Sequence, residues 1–171
     1  MKIQLKNPAV LQELVLNDCK NIGLDDFMAV VRFHAKVTFS EEFCEKVRAN
    51  RRLIERFLDE GRIIYGVTTG FGENVRYTIK QEDAKTLQKN IVRSHSCAVG
   101  TPLTEEQARA VMFMTIINLG HGHSGIRLET LELIRDFLNN NLVPFAPGEG
   151  SVGYLGVEAH LVMAYIGEGM Y

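Results

Sequence analysis

Four segments of this chain repeat apolar residues at helical spacing, and most carry residues that begin or end a helix. Ser40, followed by Glu41 and Glu42, predicts a helix start, because the acids favour the positive N-terminal end. Phe43, Val47, Ile54, Phe57 and Leu58 then fall mostly on one face, and Gly61 is a natural stop. Gln81 to Ala98 is periodic through Leu87, Ile91 and Val92. Thr104 and Gln107 match a capping box, so a helix should run from Glu105 to around Leu119. Residues 128–138 form the fourth segment, closed by Asn139, Asn140 and Asn141 with Pro144 and Pro147 beyond. Shorter apolar runs lie at Val10 to Leu16, Leu24 to Val31 and Leu161 to Ile166. The β-branched stretch Ile63 to Thr69 runs into a glycine loop ending at Gly72, which predicts a short β/glycine-loop region near residues 63–78. The expected fold is mainly α, one domain over residues 1–171, without repeats or an interdomain linker.

At 171 residues the chain can bury roughly 70% of its unfolded surface. Its 19 Lys and Arg are scattered among 21 Asp and Glu, so no one-sided basic field points to nucleic acid. The longest apolar runs fall far short of a bilayer span, and Met1 to Leu16 lacks the apolar region of a signal peptide. Three widely spaced cysteines, Cys19, Cys44 and Cys97, suit buried reduced thiols better than a disulfide framework, and the cytoplasm is the expected compartment.

Two stretches, Gly120 to Gly125 and Gly148 to Gly153, fit G-x-G-x-x-G on paper. Neither has the preceding strand and the acid about 20 residues on that a dinucleotide site needs, so both read as chance matches. His121, His123 and His160 come with no acid or cysteine to complete a ligand set; no metal is expected, and they read as surface or turn residues. Tyr65-Gly-Val-Thr-Thr-Gly-Phe-Gly72 is different in kind. It sets a phenol on a glycine loop, which reads either as a packed turn or as a proton carrier held where the backbone can be approached closely.

That segment resembles the catalytic-tyrosine loop of the aromatic amino-acid ammonia-lyases, and further blocks follow in order. Leu87-Gln-Lys-Asn90 with Ser94-His95 and Val99-Gly100 is similar to their substrate-selectivity helix. Ser124-Gly-Ile-Arg-Leu-Glu129 resembles another shared block, Gly150-Ser-Val-Gly153 the lead-in to the cofactor tripeptide, and Ile166-Gly-Glu-Gly169 the helix beyond it. The resemblance covers residues 1 to 169, most strongly from Tyr65 onward. It implies the N-terminal domain of the ammonia-lyase fold, with Tyr65 as the proton-transfer tyrosine. The Ser94-His95 pair resembles that of histidine-type members, which eliminate ammonia from L-histidine to give urocanate. A second imidazole could exchange hydrogen bonds with His95, as a phenyl ring could not. His95 capping or pairing locally is the alternative.

One block departs from the family. Its cofactor, a methylidene-imidazolone, forms from an internal Ala-Ser-Gly by ring closure and loss of the serine hydroxyl as water. Here Tyr154, Leu155 and Gly156 stand at those three positions, Val157 replaces an Asp and His160 a Pro. Leu155 has no β-leaving group, so the electrophilic methylene cannot form and the cofactor is expected to be absent. The chain also ends at Tyr171, where family members continue through a long helical domain carrying further catalytic groups. The expectation is a histidine-type protein or fragment inactive alone. It forms a homo-oligomer or joins a lyase-type partner chain, and exposes the apolar faces of Gln81 to Ala98 and Glu105 to Leu119. The alternatives are a subunit of a split enzyme, completed by a separate C-terminal chain, and a non-catalytic module that binds an amino acid through Ser94 and His95.

Overall fold

The Thr104 hydroxyl accepts from the Gln107 N–H (3.3 Å), and the Gln107 side chain accepts from the Thr104 N–H (2.9 Å), so both halves of the predicted capping box are present. The helix it starts, here called α4 (Glu105–Gly120), is the central element of the fold. The computed structural model describes residues 7–150 and 155–171, apart from the Gln81 side chain. In these residues the other elements are β1 (Glu13–Leu16), α1 (Leu24–Val31), β2 (Lys36–Phe39), α2 (Glu41–Asp59), α3 (Gln81–His95), β3 (Val99–Pro102), α5 (Leu128–Asn139), β4 (Pro147–Glu149) and α6 (Gly156–Tyr165). The fold is mainly helical, as the periodicity predicts.

β1 and β2 pair in parallel across α1, with Leu14 opposite Val37 and Leu16 opposite Phe39. β3 and β4 pair antiparallel with an irregular register. Neither small sheet was legible in the sequence, because strands of three or four residues carry too few positions to show a period of two. The Ile63 to Thr69 stretch is not a strand. Turns, a 3-10 segment over Gly72–Arg76 and one isolated bridge between Thr69 and Thr78 take its place. A lone hairpin of this size would leave its ladder groups to water, and the threonine hydroxyls below satisfy the backbone instead.

Leu16, Val30, Val37, Phe43, Val47, Met112, Phe113, Ile116, Leu131 and Leu138 form one continuous core among α1, β1, β2, the start of α2, α4 and α5. Ser40 caps α2 as expected, its hydroxyl accepting from the Phe43 N–H (3.2 Å), and Gly61 ends that helix region at φ +68°. Gly120 is required by packing. A Cβ there would lie 2.6 Å from the Phe43 ring.

Two expectations are corrected. The apolar face of α4 is buried within this chain and not presented to an absent domain, because Ala108, Met112, Phe113, Ile116 and Ile117 are taken up by α1 and α5. Cys19 and Cys44 are buried, but Cys97 is exposed, since α3 ends at His95 and its following turn faces solvent.

Arg109 was not singled out by sequence, yet its side chain is fully buried. It donates to the carbonyls of Val30 (2.7 Å), Val31 (3.1 Å) and Leu138 (2.9 Å) and to the Asn141 side chain (2.8 Å). One guanidinium thus caps the C-terminal ends of α1 and α5, where the helix dipole favours a cation. Burial lowers its pKa, although an arginine remains protonated near neutral pH. The asparagine cluster is structural as well. Asn139 accepts from the Val37 N–H and donates to its carbonyl, both at 2.8 Å, fastening α5 to the edge of β2.

Candidate functional site

Residues 62–80 form a loop held by its own hydroxyls. The Thr68 hydroxyl accepts from the Ile64 N–H (2.7 Å), and the Thr69 hydroxyl accepts from the Gly66 N–H (3.2 Å) while donating to the Gly70 carbonyl (3.0 Å). Gly66 sits at φ +70°, and a Cβ there would lie 2.8 Å from the Phe71 ring, so two constraints select glycine at once. The Tyr65 hydroxyl accepts from the Gly72 N–H (3.2 Å), and its ring meets Phe71 edge-to-face with centroids 5.8 Å apart. Tyr65 remains 61% exposed, so its phenol is held in place without being enclosed.

Ser94 and His95 occupy the last turn of α3. The Ser94 hydroxyl donates to the Ile91 carbonyl (3.0 Å), and His95 Nδ1 lies 2.9 Å from the same oxygen and 3.0 Å from Ser94 Oγ. A carbonyl only accepts, so Nδ1 carries the proton in this contact, and in the neutral ring Nε2 becomes an acceptor. The local pairing weighed as an alternative is present, but it engages one ring nitrogen. Cys97 and Ala98 follow, and β3 then pairs with β4. Gly150 lies against Ala98, a Cβ at Gly150 falling 3.7 Å from the Ala98 Cα. Through that ladder the segment after His95 adjoins the segment leading to the cofactor positions.

Of the three cofactor positions, Tyr154 lies outside the described residues. Leu155 stands immediately before α6 at φ +70° and ψ −31°, a left-handed conformation that costs a branched side chain about 1–2 kcal/mol. Its carbonyl accepts the first helical bond from the Ala159 N–H (2.8 Å), and its side chain is 38% exposed. Gly156 is buried, and Val157 packs against the core. Leu155 and Val157 offer only alkyl groups, so the methylidene-imidazolone does not fit the residues present. A β-hydroxyl is its chemical precursor, and none stands at Leu155.

α3 is tied to the turn that follows α6 by a bidentate pair, Arg93 to Glu168, with both contacts at 2.7 Å. Arg93 holds the Glu168 carboxyl below the usual carboxylate range. A groove of about 1240 Å³ is lined by residues that include Gly66 and Val67 of the loop, Gln88 and Val92 of α3, Val162 of α6 and Ile166 just after it. The structure therefore brings the Tyr65 loop, α3 and α6 around one depression. Tyr65, Ser94 and His95 are not among the residues that line the groove, although Gly66 and Val92 close to them in the chain are.

The remaining candidates disperse. The first glycine pattern follows the end of α4, so no strand feeds it, and the second runs from β4 into residues outside the description. His123 is exposed beyond α4. His160 lies instead within α6, half-buried, with its Nε2 buried and lacking a hydrogen-bond partner among the described residues, which corrects its reading as a surface or turn residue. Among the described residues no cluster of three or more His, Cys, Asp or Glu could hold a metal ion, and no helix is long and apolar enough to cross a membrane.

Comparison with known proteins fits this arrangement. The chain is 42% identical over 158 residues to the histidine ammonia-lyase of Caldanaerobacter subterraneus subsp. tengcongensis, covering 91% of this chain but 31% of that protein. The fold superposes on ergothionase, the ergothioneine-degrading enzyme of Treponema denticola, with a TM-score of 0.88 at 30% identity, covering 92% of this chain and 32% of the other. It also matches histidine ammonia-lyase from Trypanosoma cruzi, with a TM-score of 0.73 at 35% identity over 84% of this chain and 27% of that one. The chain thus spans about a third of the length of the curated relatives it matches, corresponding to their N-terminal part. Residues 22–171 match the family described as aromatic amino acid lyase. With that match over most of its length and the ordered blocks from Tyr65 onward, this chain belongs to the aromatic amino acid lyase family.

Proposed function

We propose that this chain is the substrate-recognising N-terminal part of a histidine-type lyase, specific for an imidazole-bearing amino acid and unable by itself to release ammonia from a primary amine. The observation that carries the reading is His95. Its Nδ1 is committed to the Ile91 carbonyl, and Nε2 is left as an acceptor that a substrate imidazole N–H can meet. The named activities of the relatives support the same ring, since histidine and ergothioneine both carry an imidazole-derived heterocycle. Tyr65 is the candidate proton carrier, its oxygen oriented by the Gly72 N–H. Inactivity toward primary amines follows from Leu155, whose side chain cannot dehydrate to the family's electrophile.

The test is calorimetric titration of the 171-residue chain with L-histidine and L-phenylalanine, with ammonia and the unsaturated acid followed in parallel. Histidine should bind in preference to phenylalanine, His95→Ala should remove the preference, and no ammonia should appear. Equal binding of the two amino acids, or steady turnover of histidine, overturns the reading.

A second reading draws on that groove, whose wall mixes apolar side chains with cations such as Arg62, Lys85 and Arg127. In it a lyase-type partner chain, or another copy of this one, completes the pocket against the loop, α3 and α6. Sedimentation of the purified chain, alone and with a candidate C-terminal chain, separates the two cases. A monomer that ignores such a chain would exclude it.

A further inference from the structure

We infer that the groove among α2, the 62–80 loop, α3 and α6 receives an acidic amphipathic helix of another chain. This rests on the second reading above, which calls for a partner at the groove, and adds that partner's chemistry.

Size argues for a polypeptide. Clefts that enclose a small molecule measure about 300–1,000 Å³, and this groove is larger, at about 1240 Å³. A single amino acid is far too small to fill it. The apolar lining comes from Ile54 and Leu58 of α2, Ile63 and Ile79 of the loop, Val92 of α3 and Val162 of α6. None of these side chains is fully buried, and Ile63 is 78% exposed. An extended segment would need a sheet edge to bond its backbone, but no residue of β1 to β4 lines the groove. A helix bonds its own backbone and offers apolar anchors at i, i+3, i+4 and i+7.

Charge selects which helix. Arg51, Arg62, Lys85, Lys89 and Arg127 line the groove, and among the described residues no Asp or Glu does. Composition does not account for this, since the chain carries 21 Asp and Glu against 19 Lys and Arg. Arg51 and Arg62 pair with Glu55 (2.8 Å) and Glu60 (2.6 Å), which stand outside the lining. Lys85 and Arg127 form no ion pair within 4 Å among the described residues; Lys80 with Glu82 and Arg51 with Glu55 are the neighbouring pairs. A helix that lays apolar side chains in the hollow brings its polar flanks beside these cations, where Asp or Glu is attracted and Lys or Arg repelled. A second copy is disfavoured for the same reason. Two-fold pairing of the groove with itself would set its cations against the same cations.

The experiment titrates the full chain into three labelled peptides of about 18 residues, long enough to form a helix. The first carries Leu at i, i+3, i+4 and i+7 with Glu on both flanks. The second has Lys in place of Glu, and the third shuffles the first so that its Leu residues no longer share a face. Fluorescence anisotropy reads the affinity, and isoleucine methyl NMR reads the location. The Glu peptide should bind about tenfold more tightly than either control and shift the methyls of Ile63, Ile79 and Ile166. Its advantage over the Lys peptide should vanish in the Lys85→Glu, Arg127→Glu double variant and shrink at about 1 M salt. Equal binding of the Lys peptide or of the shuffled one, or methyl shifts away from the groove, overturns the inference. If no peptide binds but a lyase-type C-terminal chain still co-sediments, this inference falls and the second reading stands. If that chain is ignored as well, both fall.

Discussion

The region around α4 and the region around α3 are built on different terms. α4 buries seven of its residues, and the arginine among them bonds to three carbonyls and an asparagine from two other elements. No described residue of α3 is fully buried: Leu87, Ile91 and Val92 are half-buried, and Ser94 is exposed. The loop at 62–80 likewise relies on threonine hydroxyls and glycine geometry. Dense packing allows one arrangement, whereas a region held by caps, turns and one ion pair opens at lower cost. Tyr65, Ser94 and His95 lie in the slack region, whereas Leu155 and the buried Gly156 stand at the head of α6.

That contrast can be broken most severely at Arg109. Arg109→Leu leaves the Val30, Val31 and Leu138 carbonyls without their donor, and the loss should reach about 3 kcal/mol or more, enough to shift a urea midpoint far or prevent folding. Phe113→Ala should cost about 3–5 kcal/mol, because that ring is wholly buried. Val92→Ala, beside the groove, should cost well under half of that. Equal losses at Phe113 and Val92 in the same urea titration would erase the distinction between the regions. Thr104→Ala should remove about 1 kcal/mol by deleting one half of the capping box, and slower hydrogen exchange in the first turn of α4 would contradict it.

Smaller effects sharpen the comparison on the slack side. Glu168 titrates below the ordinary Glu value, so the Arg93–Glu168 pair stabilises the docking of α3 on α6 above that value, about pH 4.3, and is lost as pH falls through the lower folded value. At about pH 3, below both carboxyl values, the amide protection of α6, taken relative to the intrinsic exchange rate, should fall more than that of α4, and Arg93→Ala should abolish this pH dependence. The thiols give a chemical readout. Burial pushes Cys19 and Cys44 up and Cys97 is exposed, so a small alkylating reagent should modify Cys97 first.

Much of the scaffold was legible because helices announce themselves locally. Ser40, Gly61 and the Thr104–Gln107 pair mark their ends, and the apolar spacing of 105–119 and 128–138 marks their lengths within a residue or two. α3 stops three residues before Ala98, since Ser96 leaves helical geometry and the chain turns toward β3. The site was legible in part. Tyr65, Ser94 and Leu155 were visible as residue types in an order, but their grouping depends on the β3–β4 ladder and the Arg93–Glu168 contact, which join residues more than forty positions apart. Nothing near Arg109 in the chain distinguishes it from a surface arginine.

The residues by themselves determined the helices, the turn glycines and the chemistry denied to Leu155, because caps, periodicity and bonding capacity are properties of short stretches and single side chains. Only the tertiary structure decided that α4 is buried while α3 is shallow, that one nitrogen of His95 is engaged, and that three distant segments surround one groove. Burial and partnership are relations between segments that meet when the chain closes on itself, and a local pattern carries no record of which of its faces will be covered.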